Sequence, residues 1–360
     1  MSAISRLYPL SGSIFERLRK VRGTLAGLPS ELVAEAETLE QAPAYMDPAD
    51  WDRVRGAEQS TTLDNERLRI AGGLRQHGAT TRYRLGDALA TPRGVFSLLR
   101  SLQRHGPAPL QAVLTEPMLH VDKAFFAMTS VALAYFGHLA NDSLPASLLA
   151  RPDEILCLPY NPFWHHARGY CEMLGLSPAP APLVYAREMW LTDDRGMNTH
   201  RRARTRDLHG RLHAGLAPSG HAGVFLRRGG TGASRSLQNE DEVAEALAAR
   251  GYVVCDVTSP LPGLLAALAQ VPVVVTVEGS QWVHGHFGAA LGALIVVINP
   301  ADRFNALIAD MVPALGQRMA TIVADKAEGG YHVDVQRLLA LIDRAQDDMA
   351  RTSESFEGRN

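Results

Sequence analysis

Val271-Pro272-Val273-Val274-Val275-Thr276-Val277-Glu278-Gly279-Ser280 reads as a strand apolar on both sides, closed where a glycine and a serine turn the chain. Leu294-Ile295-Val296-Val297-Ile298 is a second such strand, ending at Pro300, with a helix to Leu291 and a turn at Gly292 between them. Upstream lie Tyr252-Val253-Val254-Cys255-Asp256-Val257 and the shorter Val224-Phe225-Leu226. A helix from Asn239 to Gly251, with Glu240, Asp241 and Glu242 in the first turn where the helix dipole favours acids, joins those two. Another spans Pro262 to Gln270. Two-sided apolar strands alternating with helices specify a parallel sheet covered on both faces, a Rossmann-like unit. Such sheets bind ligands beyond the carboxyl ends of their strands, and the loops after Leu226 and Val277 are two of those ends.

The rest of the chain is less regular. The full 360 residues suit two domains, with the boundary in the Gly-, Pro- and Ser-rich stretch 214–223. The expected division is 1–215, 216–335, and a C-terminal helix with a polar tail over 336–360. Residues 1–60 read as polar and helical, 79–96 as β, 123–150 as a buried apolar helix ended near Pro145, and Leu156–Tyr160 and Leu183–Tyr185 as strands.

The net charge of −2 gives no field for nucleic acid, so none is expected as a partner. Cys157, Cys171 and Cys255 cannot all pair within the chain and read as small buried hydrophobes of a reducing compartment. With no run of 18 apolar residues and no signal-peptide pattern, the expected location is cytoplasmic. Arg17, Arg19, Lys20 and Arg22 follow Phe15. They read either as a solvated helix face or as a peripheral contact with the inner face of the cytoplasmic membrane.

Four segments could carry chemistry. In Tyr135-Phe136-Gly137-His138-Leu139-Ala140-Asn141-Asp142-Ser143-Leu144-Pro145, His138 and Asp142 are four apart and share a helix face. An imidazole and a carboxylate inside an apolar segment are costly to bury unless used. The pair reads either as a general base with its orienter or as a structural cap. Arg227-Arg228-Gly229-Gly230-Thr231-Gly232-Ala233-Ser234-Arg235, running on to Asn239, sets arginines and a glycine loop before a helix, an arrangement able to hold a diphosphate or to form a solvated loop. It is neither a Walker A loop nor a GxGxxG fingerprint. Glu278-Gly279-Ser280 with His284 is the third, with Ser280 placed to cap the helix or bind phosphate and Glu278 to accept from sugar hydroxyls. Pro300-Ala301-Asp302-Arg303-Phe304-Asn305 is the fourth. No metal site is expected: His165 and His166 diverge, no HExxH occurs, and in Asp50-Trp51-Asp52, formally a DxD, Asp50 reads as a helix N-cap. A nucleophile elbow of the GxSxG type is also missing.

In order and spacing these segments resemble glycosyltransferase family 61. The first matches "Y-x-G-H-W-L-x-D-x-L-P" over Tyr135–Pro145, with Leu139 for tryptophan. Arg227, Arg228, Arg235, Leu237, Asn239 and Glu240 match "R-R-x(n)-R-x-L-x-N-E", and Gly279, Ser280 and His284 match a "G-[AS]-x-x-x-[NH]" turn, with Glu278 where many members have histidine. The likeness spans about 80–345. It implies an α/β, GT-B-like fold, two Rossmann-like domains facing across a cleft, and inverting, metal-independent transfer with no cofactor. The substrates would be a nucleotide-sugar donor, most commonly UDP-linked, and a glycan or lipid-linked glycan acceptor in surface polysaccharide assembly. On that reading Asp142 or His138 is the base, and Arg227, Arg228, Arg235, Asn239, Glu278, Gly279, Ser280 and His284 line the donor. The competing reading is a catalytically silent nucleotide- or glycan-binding protein, against which the His138–Asp142 pair weighs, since a binder needs no buried base.

Overall fold

The computed structural model describes residues 5–19, 23–107, 109–228 and 235–357, with backbone alone for 15–19 and 353–357. The basic cluster after Phe15 and the glycine loop 229–234 therefore lie outside the side chains described. The chain divides into two units, Met1–Thr38 with Gln76–Arg211, and Leu39–Arg75 with Leu212–Asn360.

In chain order the strands are β1 (Ser30–Ala34), β2 (Glu37–Gln41), β3 (Gly73–His77), β4 (Thr80–Leu85), β5 (Ala88–Thr91), β6 (Gly94–Phe96), β7 (Ser101–Leu102), β8 (Met118–Phe126), β9 (Ile155–Cys157) and β10 (Leu183–Asp193). β2 and β3 form a two-stranded ribbon, and the other eight make the sheet of the first unit. Its centre is β10, whose two halves pair antiparallel with β5 and β4 on one side, while β8 runs parallel to it on the other and pairs on to β9. This sheet is mixed, whereas the sequence reading expects a Rossmann-like first domain. Parallel order is confined to β10, β8 and β9.

Residues 118–126 belong to a strand, not to the buried helix expected over 123–150. A continuous apolar run is shared by buried strands and buried helices, so periodicity alone cannot separate them. Helical structure begins at Phe136, in the crossover from β8 to β9. Among the described residues of 1–60, the α-helix Tyr8–Arg19 is followed by the strands β1 and β2 and a 3₁₀ turn.

The second unit carries the doubly wound sheet. Its strands are β11 (Gly223–Arg227), β12 (Tyr252–Asp256), β13 (Val273–Val277), β14 (Leu294–Pro300), β15 (Arg318–Ala327) and β16 (Gly330–His332). They lie in the order β12-β11-β13-β14-β15-β16, parallel except for β16. Every residue of β13 and β14 is buried, as their unbroken Val/Ile character requires. The helix Val335–Glu357 closes one face with Leu338, Leu339, Leu341 and Ile342.

Residues 39–75 also pack in the second unit, although the sequence reading groups them with the N-terminal domain. Asp50 shows why. It is buried, accepting a backbone hydrogen bond from Val323 at 3.1 Å and a charge-assisted one from Arg337. The N-cap of the 3₁₀ turn Pro48–Asp52 is Asp47, not Asp50. Trp51 stacks on Phe304 with ring centroids 5.2 Å apart. A buried acid with two fixed donors is an anchor, so Asp50→Ala should destabilise the protein by about 2–3 kcal/mol. Urea midpoints measure this, and a change below about 0.5 kcal/mol would contradict it.

Candidate active site

The first cluster forms beyond the carboxyl ends of the parallel strands β8 and β10. The Tyr135–Pro145 segment is not a regular helix: a π turn occupies Leu139–Ser143, closed by Leu144 N–H donating to Leu139 O. Such turns collect at functional sites. Pro145 has no N–H, so the carbonyl of Asn141 lacks its usual helical donor. Arg201 fills that gap, its Nη2 donating to Asn141 O at 2.9 Å and to Asp142 Oδ1 at 2.6 Å. The other carboxylate oxygen, Oδ2, is 2.7 Å from His138 Nδ1.

Arg201 is 1% exposed, on the helix Thr199–His213 that follows β10. Asn198 accepts from Arg201 N at 2.9 Å and fixes the start of that helix. Arg201 also donates to the carbonyl of Asp194. Arg204, one turn on, grips the Asp194 carboxylate at 2.6 and 2.5 Å and donates to Pro145 O at 3.1 Å. Two arginines thus fasten the π turn to the end of β10. Burial alone would raise the Asp142 carboxyl, but the His138 hydrogen bond and the Arg201 charge outweigh it and hold it below the usual carboxylate range. Asp142 is therefore an anion with both oxygens engaged. It fixes His138 through Nδ1, so Nε2 is the ring nitrogen outside that bond.

Beside this turn, Phe136 stacks on Trp164 and Tyr170 at 6.2 Å. A groove of about 1080 Å³ runs along the neighbouring segment, lined by Leu133, Tyr160, Phe163, Pro178 and Pro180 and edged by Arg93.

The second cluster lies at the carboxyl ends of β11 and β13. The connections leave these neighbours in opposite directions, to β12 and to β14, which opens a crevice at the switch point. Arg228 Nη1 donates to Glu278 O at 2.7 Å, Arg235 Nη1 to the same carbonyl at 3.1 Å, and Arg235 also pairs with the Glu278 carboxylate. Arg303 Nε approaches that carboxylate at 4.0 Å, while its Nη2 is 3.2 Å from Glu58. Three guanidinium groups thus face two carboxylates. Burial lowers Arg228 to about 10 and lowers Arg235, and burial raises Glu278. The arginines remain charged at neutral pH, so cationic groups gather about Glu278 at this strand end. Among the described residues, Arg235 Nε is buried with no hydrogen-bond partner.

The predicted residues divide. Arg228, Arg235, Glu278 and Gly279 come together here. Gly279, at φ +146°, lies under the Arg228 guanidinium and 2.6 Å from Gln281 Oε1 as measured to an added Cβ. The space read as room for a ligand holds an arginine. Arg227 turns away to Asp241 at the next helix start. Asn239 joins that start to Val333 through Nδ2 at 2.8 Å and Oδ1 at 3.2 Å. With Glu240, Asp241 and Glu242 already in its first turn, this helix end holds acids rather than an open phosphate site. The N-cap position before Trp282–Gly288 is Gln281, not Ser280, and His284 is buried within that helix.

Arg201, Asp194, Arg303 and Glu58 complete the two clusters. Arg201 was legible in principle: it shares the helix stripe of Leu208 and Leu212, an arginine where apolar residues belong. Among the described residues no group of three His, Cys, Asp or Glu could hold a metal.

Two outcomes follow from this geometry. Gly279→Ala should cost about 2 kcal/mol or more, because both the φ and the Arg228 contact forbid a Cβ; an unchanged melting temperature would contradict it. The lowered Asp142 pKa stabilises the folded state above the unfolded carboxyl value, and that stability is lost as pH falls through the folded value. Asp142→Asn should therefore be less stable than the parent by about 2 kcal/mol at neutral pH, with the gap closing below about pH 4. A gap constant with pH would rule out the charged clamp.

Both clusters bear on kinship. No curated protein matches the chain. The family model described as Glycosyltransferase 61 matches residues 136–296, a span that takes in His138, Asp142, Arg201, Arg228, Arg235 and Glu278 and leaves out Glu58 and Arg303. Over residues 136–296 the chain is similar to glycosyltransferase 61 domains.

Proposed function

We propose that the protein is an inverting, metal-independent glycosyltransferase that moves a sugar from a nucleotide-sugar donor, UDP-linked in the first instance, to a glycan or lipid-linked glycan in surface polysaccharide assembly. The observation that carries this reading is the gathering of Arg228, Arg235 and Arg303 about Glu278 at the switch point of the second unit. Arg228, Arg235 and Arg303 meet the charge that grows on a departing diphosphate, the task a divalent cation performs in other transferases. The first unit supplies the base. His138 Nε2 takes the proton of the acceptor hydroxyl as its oxygen attacks the anomeric carbon and the bond to the phosphate oxygen breaks. One in-line displacement inverts that centre. Asp142, already tied by Arg201, orients His138 and stabilises the imidazolium that forms. The aromatic groove beside Phe136 suits the acceptor, whose sugar faces stack on Tyr160 and Phe163. Donor unit and base unit divide the work as in GT-B enzymes, acting on cytoplasmic nucleotide sugars.

A melting panel with UDP, GDP, CMP and dTDP tests the donor site. One nucleotide, at about 100 times its Kd, should add about 2.7 kcal/mol of stability in the presence of EDTA. Silence from all four would overturn the donor assignment. His138→Ala should lower kcat about 10²–10⁴-fold with nucleotide affinity unchanged, and Asp142→Asn should lower kcat in the same way by releasing the ring. Full turnover by His138→Ala would remove it as the base, whatever the melting panel shows.

A further inference from the structure

The helix Tyr8–Arg19 lies on β5, β6 and β7 of the first unit. Gly12 is its point of closest approach: a Cβ there would stand 2.8 Å from Arg100 O and 3.0 Å from Ser97 O. Arg6 fastens the start of the helix by donating to the carbonyls of Val113 and Glu116. With that face seated, the opposite one is bare. Leu7, Leu10 and Ile14 are 54%, 43% and 48% exposed, and their spacing of three and four makes one stripe. Leu98 and Leu99, in the turn under Gly12, and Leu114, on the segment that Arg6 holds, are exposed as well. No other described segment exposes three large aliphatic residues at helical spacing. Single exposed leucines are ordinary, but a patch of them marks a surface that something covers.

Charge identifies the cover. The stripe is followed in sequence by Arg17, Arg19, Lys20 and Arg22, and Arg100 shares the turn with Leu98 and Leu99. A second copy packed on this face about a two-fold axis would bring Arg6, at the start of the stripe, and Arg100, beside it, towards their own counterparts. An anionic lipid surface takes both features, the aliphatic side chains at the headgroup–acyl boundary and the cations at the phosphates. We propose that this face seats the protein peripherally on an anionic membrane. The inference stands apart from the transferase reading.

Sedimentation of the full chain with vesicles tests it. The protein should pellet with phosphatidylcholine vesicles containing phosphatidylglycerol, far less with phosphatidylcholine alone, and less as salt rises. Leu10→Ser/Ile14→Ser should lower the partition coefficient about tenfold for each leucine or isoleucine removed, with an unchanged melting temperature. Leu98→Ser/Leu99→Ser provides the same test without touching the helix. Neutralising Arg17, Arg19, Lys20 and Arg22 to glutamine should lower it about fivefold per charge. Equal pelleting of parent and both aliphatic variants, no pelleting of the parent, or a concentration-dependent dimer abolished by Leu10→Ser/Ile14→Ser would each overturn the proposal.

Discussion

A guanidinium keeps its proton in any protein interior, so each one taken out of water must meet an anion inside the fold or present its field to one from outside. The two clusters answer that constraint differently. In the first unit, Arg201 and Arg204 are matched by Asp142 and Asp194, and the matched charges act as mechanical ties. They hold a π turn open and fix a histidine. In the second unit, Arg228, Arg235 and Arg303 gather about Glu278 and Glu58 at the switch point.

Backbone decisions lie beneath both. Pro145 withholds one N–H, the Asn141 carbonyl is left without a helical partner, and Arg201 is drawn in from the helix after β10. Gly279 withholds one Cβ, and the Arg228 guanidinium lies where that carbon would be. Each absence makes room for a charged group that an ordinary helix or turn would exclude. The sheet orders then put these groups at strand carboxyl ends, β8 and β10 in one unit and β11 and β13 in the other.

The second unit was the legible one. Strands such as Val273–Val277 are apolar on both faces and short connections separate them, so composition and punctuation suffice. The first unit was not. The run into Phe126 is equally apolar as helix or strand, and only pairing with β10 decides the matter. The excursion 39–75 looked polar and local because its anchors, Asp50 to Arg337 and Val323, close over hundreds of residues that no sequence window spans. Within the site, His138 and Asp142 were visible by their spacing, but Arg201, which ties Asp142, is distant in sequence. Arg228 and Arg235, singled out as arginines ahead of a helix, both meet Glu278. Arg227 and Asn239, included on the same motif, pair at the start of the helix Glu240–Ala248.

The receptor is the central claim, and its most direct test is a calorimetric titration in EDTA comparing a nucleoside, its monophosphate and its diphosphate. The arginine cluster predicts a stepwise gain in affinity with each phosphate, a gain that shrinks with salt and disappears in Arg228→Gln/Arg235→Gln. Equal affinity for nucleoside and diphosphate, or binding that requires a divalent cation, would contradict it.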